Sequence, residues 1–338
     1  MPQVSVITPV YNAALTVQRA VKSSVGLPEV GEVLLIDDAG PDNALEICQK
    51  LEQAHPKVRL LRHPDHGNHG AGASRNLGLA EARFPLVAFL DADDYYLPHR
   101  FHQDVDMLRV DPCLDGVYGA TGIEYEDEAA RDRFHAAGYA YQELTTLSAP
   151  VPPGELFAVL FHHHPTVRGE FSTDAVTIRK SLLERVGAFH PKLRLQQDTH
   201  LWRRLAAAGS LASGSIMEPV AIRGVHARNR MTNQLEQAKY RDLWWESLLL
   251  EFRKIGLTPE QWRIVRRAHT GYLAGQGRKA EALALLLRCV CDRPSLIGET
   301  YGFFDLRVIE LAGNPSLPVR LISAKNRIAR RLSRRPQS

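Results

Sequence analysis

The first ninety or so residues set the strongest limit on the fold. Four apolar runs, each short enough for a strand, alternate there with stretches of helical period. Val4-Ser5-Val6-Ile7-Thr8-Pro9-Val10 reads as a strand. A helix follows with Ala14, Val17, Val21 and Val25 on one face, Asn12 as its expected N-cap and Gly26 as its stop. Glu32 to Ile36 is a second strand, followed by a helix with Ala44, Ile47, Leu51 and Ala54 in phase. Val58 to Leu61 is a third strand. A loop rich in Gly, His and Asn leads from it into a helix through Asn76, Leu77 and Ala80, and Leu86 to Leu90 is an apolar run suited to a buried parallel strand. Strict β-α-β alternation predicts an open α/β sheet, mostly parallel and flanked by helices.

In such sheets ligands bind beyond the carboxyl ends of the strands. The unusual residues collect at those ends: Pro9-Val10-Tyr11-Asn12, Asp37-Asp38 and Asp91-Ala92-Asp93-Asp94. Asp91 and Asp93 share one side of an extended chain. Like charges held together need compensation, and a hard divalent ion with oxygen ligands, sharing its shell with substrate phosphates, supplies it. A solvated acidic turn is the plainer alternative for a bare D-x-D.

Four blocks, in order, carry a resemblance: Val4 to Asn12, Leu35-Ile36-Asp37-Asp38-Ala39-Gly40-Pro41-Asp42, Ala73-Ser74-Arg75-Asn76-Leu77-Gly78, and Phe89-Leu90-Asp91-Ala92-Asp93-Asp94. The chain resembles the family 2 glycosyltransferases of GT-A, Rossmann-like fold, clearly over 1–100 and in outline to about 235. The resemblance implies a metal-dependent, inverting transfer of a sugar from a nucleoside-diphosphate donor, UDP by default, to a hydroxyl of a saccharide or lipid-linked acceptor. It implies that Pro9 and Tyr11 lie at the nucleobase and that Asp38 accepts a base N–H. It places Arg75 near the nucleotide, Asp91 at the ribose or metal shell, and Asp93 on Mn²⁺ or Mg²⁺.

An inverting transfer also needs a base for the acceptor hydroxyl. The stretch Val186-Gly187-Ala188-Phe189 … Gln196-Gln197-Asp198-Thr199-His200-Leu201-Trp202 is similar to the family's acceptor-side motif, with Gln197 in place of its first acid. Asp198 is the candidate base, with a helix N-cap as its alternative role. Arg223-Gly224-Val225-His226 resembles the element that closes the catalytic domain, so His226 is expected in the metal shell or at the diphosphate, with Arg228, Asn229 and Arg230 as further phosphate donors. His162-His163-His164, and His63, His66 and His69, read as loop residues rather than ligands. The four tryptophans, Trp202, Trp244, Trp245 and Trp262, read as packing, with Trp202 nearest the base.

The sequence divides into a catalytic domain over 1–235, with its donor half at 1–100 and its acceptor half at 101–235, then a helical extension at 236–318 and a basic tail at 319–338. In the extension, Tyr240 to Ile255, Pro259 to Leu273 and Lys279 to Cys291 read as helices. Net charge enters here. The formal +4 comes from 42 Lys+Arg against 38 Asp+Glu. Seven of the basic residues, Arg320, Lys325, Arg327, Arg330, Arg331, Arg334 and Arg335, lie in the tail. Without them 35 basic residues face 38 acidic ones, a net of −3, so the body is no nucleic-acid binder. The tail, with Val319, Leu321, Ile322, Ile328 and Leu332 interspersed, suits peripheral contact with an anionic membrane.

The expected location is cytoplasmic, with the tail at the inner face of the membrane. No signal-like leader opens the sequence, and no run reaches the ~18–20 apolar residues of a membrane span. Cys48, Cys113, Cys289 and Cys291 are expected to be reduced. Two other readings compete. One is a sugar nucleotidyltransferase, which would want a Gly-rich, Arg- and Lys-bearing loop where Pro9-Val10-Tyr11-Asn12 stands. The other is a catalytically silent nucleotide-binding scaffold.

Overall fold

The computed structural model describes residues 3–136, 143–226 and 234–292. β1 (Val4–Val10), β2 (Val30–Asp37), β3 (Val58–Arg62) and β4 (Leu86–Phe89) are the four runs read from the sequence. They are joined by α1 (Val17–Val25), α2 (Ala44–Ala54) and α3 (Ala71–Glu81). After β4 come β5 (Tyr95–Tyr96), α4 (His102–Val110), β6 (Gly116–Tyr118), β7 (Ala120–Tyr125), α5 (Glu128–Phe134) and α6 (Leu156–Leu160). β8 (Val176–Arg179), α7 (Lys180–Val186), α8 (Gln197–Ala208), β9 (Leu211–Ser213), β10 (Pro219–Val225) and α9 (Gln234–Ile255) follow.

The main sheet has seven strands in the order β3-β2-β1-β4-β8-β6-β9. β3, β2, β1 and β4 run parallel, β8 is antiparallel to both its neighbours, and β6 and β9 are parallel. The expected mostly parallel α/β sheet is therefore present. A second sheet, β5-β10-β7, carries β10 beside the acidic loop.

The buried pattern follows the apolar runs. Val4, Val6, Ile7 and Val10 of β1 and all four residues of β4 are at most 1% exposed, and each such Val, Leu, Ile or Phe contributes roughly 1.5–3 kcal/mol. α3 lies so close to β1 that a Cβ on Gly78 would sit 2.5 Å from Ile7 Cγ2, which excludes any larger residue. From β1 the chain leads to β2 on one side and, by way of α2, β3 and α3, to β4 on the other. The loops at the carboxyl ends of β1 and β4 thus diverge and leave a crevice.

Asn12 does not cap α1. It sits in the left-handed region at φ 52°, and Thr16 occupies the cap position without a side-chain bond. Asp42, from the loop before α2, accepts from the Ala14 N–H at 2.8 Å instead. The turn after β1 is thus held by the turn after β2.

The chain divides into two compact units, Met1–Gly256 and Leu257–Ser338. The first therefore takes in α9, beyond the boundary read at 235. α9 docks on α8, where the Ser247 hydroxyl meets His200 Nε2 at 3.1 Å and Trp244 meets the His200 ring. The described part of the second unit is α10 (Pro259–Gly275) and α11 (Lys279–Asp292). A capping box, in which Thr258 and Gln261 bond reciprocally, starts α10. Cys48 is buried and Cys113 exposed, and both are free thiols. The side chains of Cys289 and Cys291, residues 228–230 and the basic tail lie outside the described residues. Among the described residues, no helix is long and apolar enough to cross a membrane.

Candidate active site

The crevice gathers side chains from opposite ends of the sequence. Leu90 ends β4, its amide bonded to Ile7 O of β1, and the next four residues form a tight acidic turn. Asp91 pairs with Arg75 of α3. Asp93 Oδ2 lies 3.0 Å from His226 Nε2, at the end of β10. The side chains of Asp91 and Asp93 are 37% and 32% exposed, so both reach solvent. Asp94 is buried and accepts the Gly224 N–H at 2.9 Å. Gly224 is required there, because a Cβ would sit 2.6 Å from the Asp93 carbonyl oxygen.

Behind this turn lies Asp174, fully buried ahead of β8. Its Oδ1 accepts the Asp91 N–H at 2.9 Å and its Oδ2 accepts the Ser172 hydroxyl at 2.9 Å. Arg223 donates in turn to Ser172 Oγ at 2.8 Å. Burial, reinforced by the charge of Asp174 and then of Asp93 and Asp91, pushes the Asp94 carboxyl well above the usual carboxylate range; Arg223 offsets part of this. Burial likewise raises Asp174, which Asp94 hydrogen-bonds. Each carboxyl thus disfavours the charge of the other, as like charges this close do.

Oxygens of Asp91, Asp94 and Asp174 lie within 4.8 Å of one another, a spacing that fits a cation. The deeper two are already engaged with each other and with backbone amides. The accessible donors are the Asp91 and Asp93 carboxylates and the His226 imidazole, an oxygen and nitrogen set that suits a divalent ion shared with a ligand phosphate.

Arg75 is buried, and its Nε and Nη1 have no protein acceptor, which leaves donors for a polar or anionic ligand. Burial works against its charge, but Asp91, Asp198 and Asp174 together hold its pKa up. Asp198 therefore belongs to the same electrostatic cluster, 123 positions further along the chain. Burial raises the Asp198 carboxyl above the ordinary range. The Thr199 N–H at 2.8 Å and Arg75 pull it back, and Glu170 and Asp91 add to the rise. A carboxylate with a raised pKa beside a crevice is suited to accept a proton.

Two clamps bring Asp198 there. Asn76, next to Arg75 on α3, donates to Phe189 O at 2.8 Å and accepts the Phe189 N–H at 2.9 Å. Arg194 donates to Asn68 Oδ1 at 2.7 Å. The chain then turns through Gln196, left-handed at φ 58°, and enters α8. That conformation costs a non-glycine residue roughly 1–2 kcal/mol. Gln196, not Asp198, is the cap of α8, so the N-cap role is not realised.

With this geometry in view, sequence comparison adds a likeness: residues 5–163, just under half of the chain, match the family model described as glycosyl transferase family 2. Among relatives of the family 2 domain, the succinoglycan biosynthesis protein ExoU of Rhizobium meliloti is 27% identical over 215 residues, 61% of this chain and 58% of that protein. A hyaluronan synthase of Pasteurella multocida is 28% identical over 178 residues, 52% of this chain and 17% of that protein. This chain thus spans about three fifths of the one and under one fifth of the other. The crystal structure of S. aureus TarS 1–349 in complex with UDP-GlcNAc superposes with a TM-score of 0.59 at 16% identity, covering 86% of this chain and 80% of that one. The fold is accordingly GT-A.

The structure gathers most of the residues read from the sequence of the family 2 domain. Pro9 lies near the end of β1, paired with Ile36, and Tyr11 follows it with its side chain 51% exposed. Asp38 is placed differently from an open base acceptor. It is buried, and its oxygens take the His69 N–H at 2.7 Å, the Gly70 N–H at 2.9 Å and the Asn68 amide at 3.0 Å, so it pins the 68–70 loop. His69 pairs with Asp65, and His164 with Glu155, as loop residues do. Trp202 is core.

Sequence reading passed over Asp174 and Arg194, took Asn76 only as a helix residue and Trp244 as packing, and gave Asp94 no role of its own. Asp94 had a signal, as the third acid of its cluster. Asp174 had none, because an irregular stretch precedes it.

Proposed function

We propose that this chain is an inverting glycosyltransferase that moves a sugar from a nucleoside-diphosphate sugar, with UDP as the nucleotide, to a hydroxyl of a saccharide or lipid-linked acceptor. The observation that carries this is the convergence of Arg75, Asp91, Asp93 and His226 with Asp198, a carboxylate whose raised pKa suits a base. The family match supports the reaction class, and the similar fold of a protein crystallised with UDP-GlcNAc supports the donor class.

Tyr11 offers its exposed ring to the base, with Pro9 beside it. Asp38 acts on the base through the 68–70 loop that it pins. Arg75 directs its unfilled N–H groups to the donor and holds Asp91 in place. Asp93 and His226, with Asp91 beside them, would hold Mn²⁺ or Mg²⁺, which supplies positive charge opposite the leaving diphosphate. Asp198 takes the proton of the acceptor hydroxyl as that oxygen attacks the anomeric carbon from the face opposite the diphosphate. The basic tail would hold the chain at an anionic membrane surface on the cytoplasmic side, where a lipid-linked acceptor lies. Co-sedimentation of the full chain with anionic vesicles, compared with residues 1–318, tests that placement.

The reaction is tested by UDP release from a panel of UDP-sugars with Mn²⁺ or Mg²⁺, alongside UDP binding by calorimetry. We expect Asp93→Ala to abolish the metal-dependent part of UDP binding. Metal-dependent UDP binding without release from any donor, with saccharide acceptors present, would instead mark a silent scaffold.

A further inference from the structure

α9 lies beyond the family match, and nothing in the proposed reaction so far uses it. It nevertheless reaches the turn that delivers Asp198. The Trp244 indole N–H donates to the carbonyl oxygen of Gln196 at 3.2 Å. That carbonyl also accepts the His200 N–H at 3.1 Å and the Thr199 hydroxyl at 3.2 Å, so it organises the first turn of α8. Gln196 is the left-handed residue two positions before Asp198.

The indole is itself held. Its ring lies 5.1 Å from the Arg203 guanidinium and edge-on to both Trp245 and His200. Arg203 donates to Glu170 at 2.6 Å and to Thr199 O at 2.9 Å. His200 is uncharged, because burial, then Arg204, His190 and Arg203, drive its pKa down to about 2; it meets the Ser247 hydroxyl of α9 as a neutral ring. An element that only covered apolar surface would need neither a donor aimed at a cap carbonyl nor a guanidinium between its ring and α8.

We infer that Trp244 is a positioning residue for the base: through Gln196 it fixes the left-handed turn that sets Asp198 at the crevice, so that α9 is part of the catalytic machinery. This rests on the reading of Asp198 as the base. Two consequences follow. Losing the indole N–H should loosen the first turn of α8 while leaving the donor residues on β1, β4 and α3 untouched. A glycine at position 196, which takes positive φ freely, should recover part of what is lost.

The test uses the full chain in four forms: parent, Trp244→Phe, Trp244→Phe with Gln196→Gly, and Asp198→Asn. Phenylalanine keeps an aromatic ring against Arg203 and removes the donor together with part of the ring volume. Hydrogen exchange in peptides covering 194–204 should speed up in Trp244→Phe by roughly 2–10-fold, the weight of one net hydrogen bond, with β1 and β4 unchanged. The rate of UDP release from UDP-GlcNAc should fall by a similar factor at unchanged half-saturating donor, and the double variant should regain part of it. Unaltered exchange over 194–204 in Trp244→Phe overturns the anchoring, whatever Asp198→Asn does. Retention of UDP release by Asp198→Asn overturns the base assignment itself, and the inference with it, even if the anchor proves real.

Discussion

The two halves of the crevice are built in opposite ways. The donor side draws on three consecutive βα units: Pro9 and Tyr11, Asp38, Arg75, and the acidic turn after β4. These residues sit at strand ends or, for Arg75, within α3, and all come from the first ninety-four positions, although Asp174, Gly224 and His226 brace the acidic turn from further along the chain. The acceptor side draws Asp174, Asp198, Arg223, His226 and Trp244 from segments far apart in the chain, and long-range clamps such as Asn76 to Phe189 hold them. The donor side is thus supplied by one continuous stretch of sequence, whereas the acceptor side is gathered only once the whole first unit has folded. Substitutions on the donor side should therefore change binding alone, while those on the acceptor side should change turnover or stability.

The largest expected break in that contrast is at Asp198. Asp198→Asn should lower kcat by about 10²–10⁴-fold, the weight of a lost general base, and leave the Kd for UDP within twofold. Its pH dependence sharpens the point. The carboxyl is raised, and a base must be ionised, so kcat should fall as pH drops through a value above the ordinary carboxylate pKa. That acid limb, read from kcat against pH, should vanish with the residual activity of Asp198→Asn.

At the seam between the halves, Asp174→Ala leaves the Asp91 amide and the Ser172 hydroxyl without their acceptor. It should cost about 1–3 kcal/mol in urea unfolding. Asp174→Asn keeps an acceptor and should cost under half of that. The sign of the pH effect is fixed. With Asp94 and Asp174 raised, the native chain binds more protons than the unfolded one between the ordinary and the raised pKa. Stability should therefore fall as pH rises across that window. Asp174→Asn should flatten the slope.

On the donor side, Tyr11→Ala should weaken UDP binding roughly tenfold, within the ~1–3 kcal/mol of a lost base stack, and Tyr11→Phe should not. The smallest effect is a control. Arg19 and Glu124 form an exposed pair at 2.5 Å, and Glu124→Gln should shift stability by at most about 1 kcal/mol, with no change in UDP binding.

The same asymmetry explains what could be read in advance. β1 to β4 were legible because each is an apolar run bounded by turn residues. Pro9, Tyr11, Asp38, Asp91 and Asp93 stood out because they sit at the ends of those runs, whereas Arg75 and the role of each were reached by resemblance. The helices of the second unit were legible from their period. Asp198 was reached by resemblance, since its spacing from Arg75 carries no periodic signal. Asp174 and Trp244 were out of reach, because their meaning lies in partners 83 and 48 residues away. The sequence puts the boundary at 235 because α9 is helical like its successors; its partners on α8 group it with the first compact unit. Asn12 and Asp38 mark a subtler limit. Asn12 reads as a helix cap and sits instead in a left-handed turn, and Asp38 reads as a base acceptor and holds the 68–70 loop.

The depth of the acidic corner changes what a ligand would meet. Four carboxyls stand there, Asp91, Asp93, Asp94 and Asp174, and the guanidinium groups of Arg75 and Arg223 stand against them. Burial raises the inner two, Asp94 and Asp174, so the corner is less acidic than four aspartates in solution would be. A ligand approaching from the crevice faces the outer two, Asp91 and Asp93, and a divalent cation seated between them would turn an anion-repelling edge into one that accepts a diphosphate.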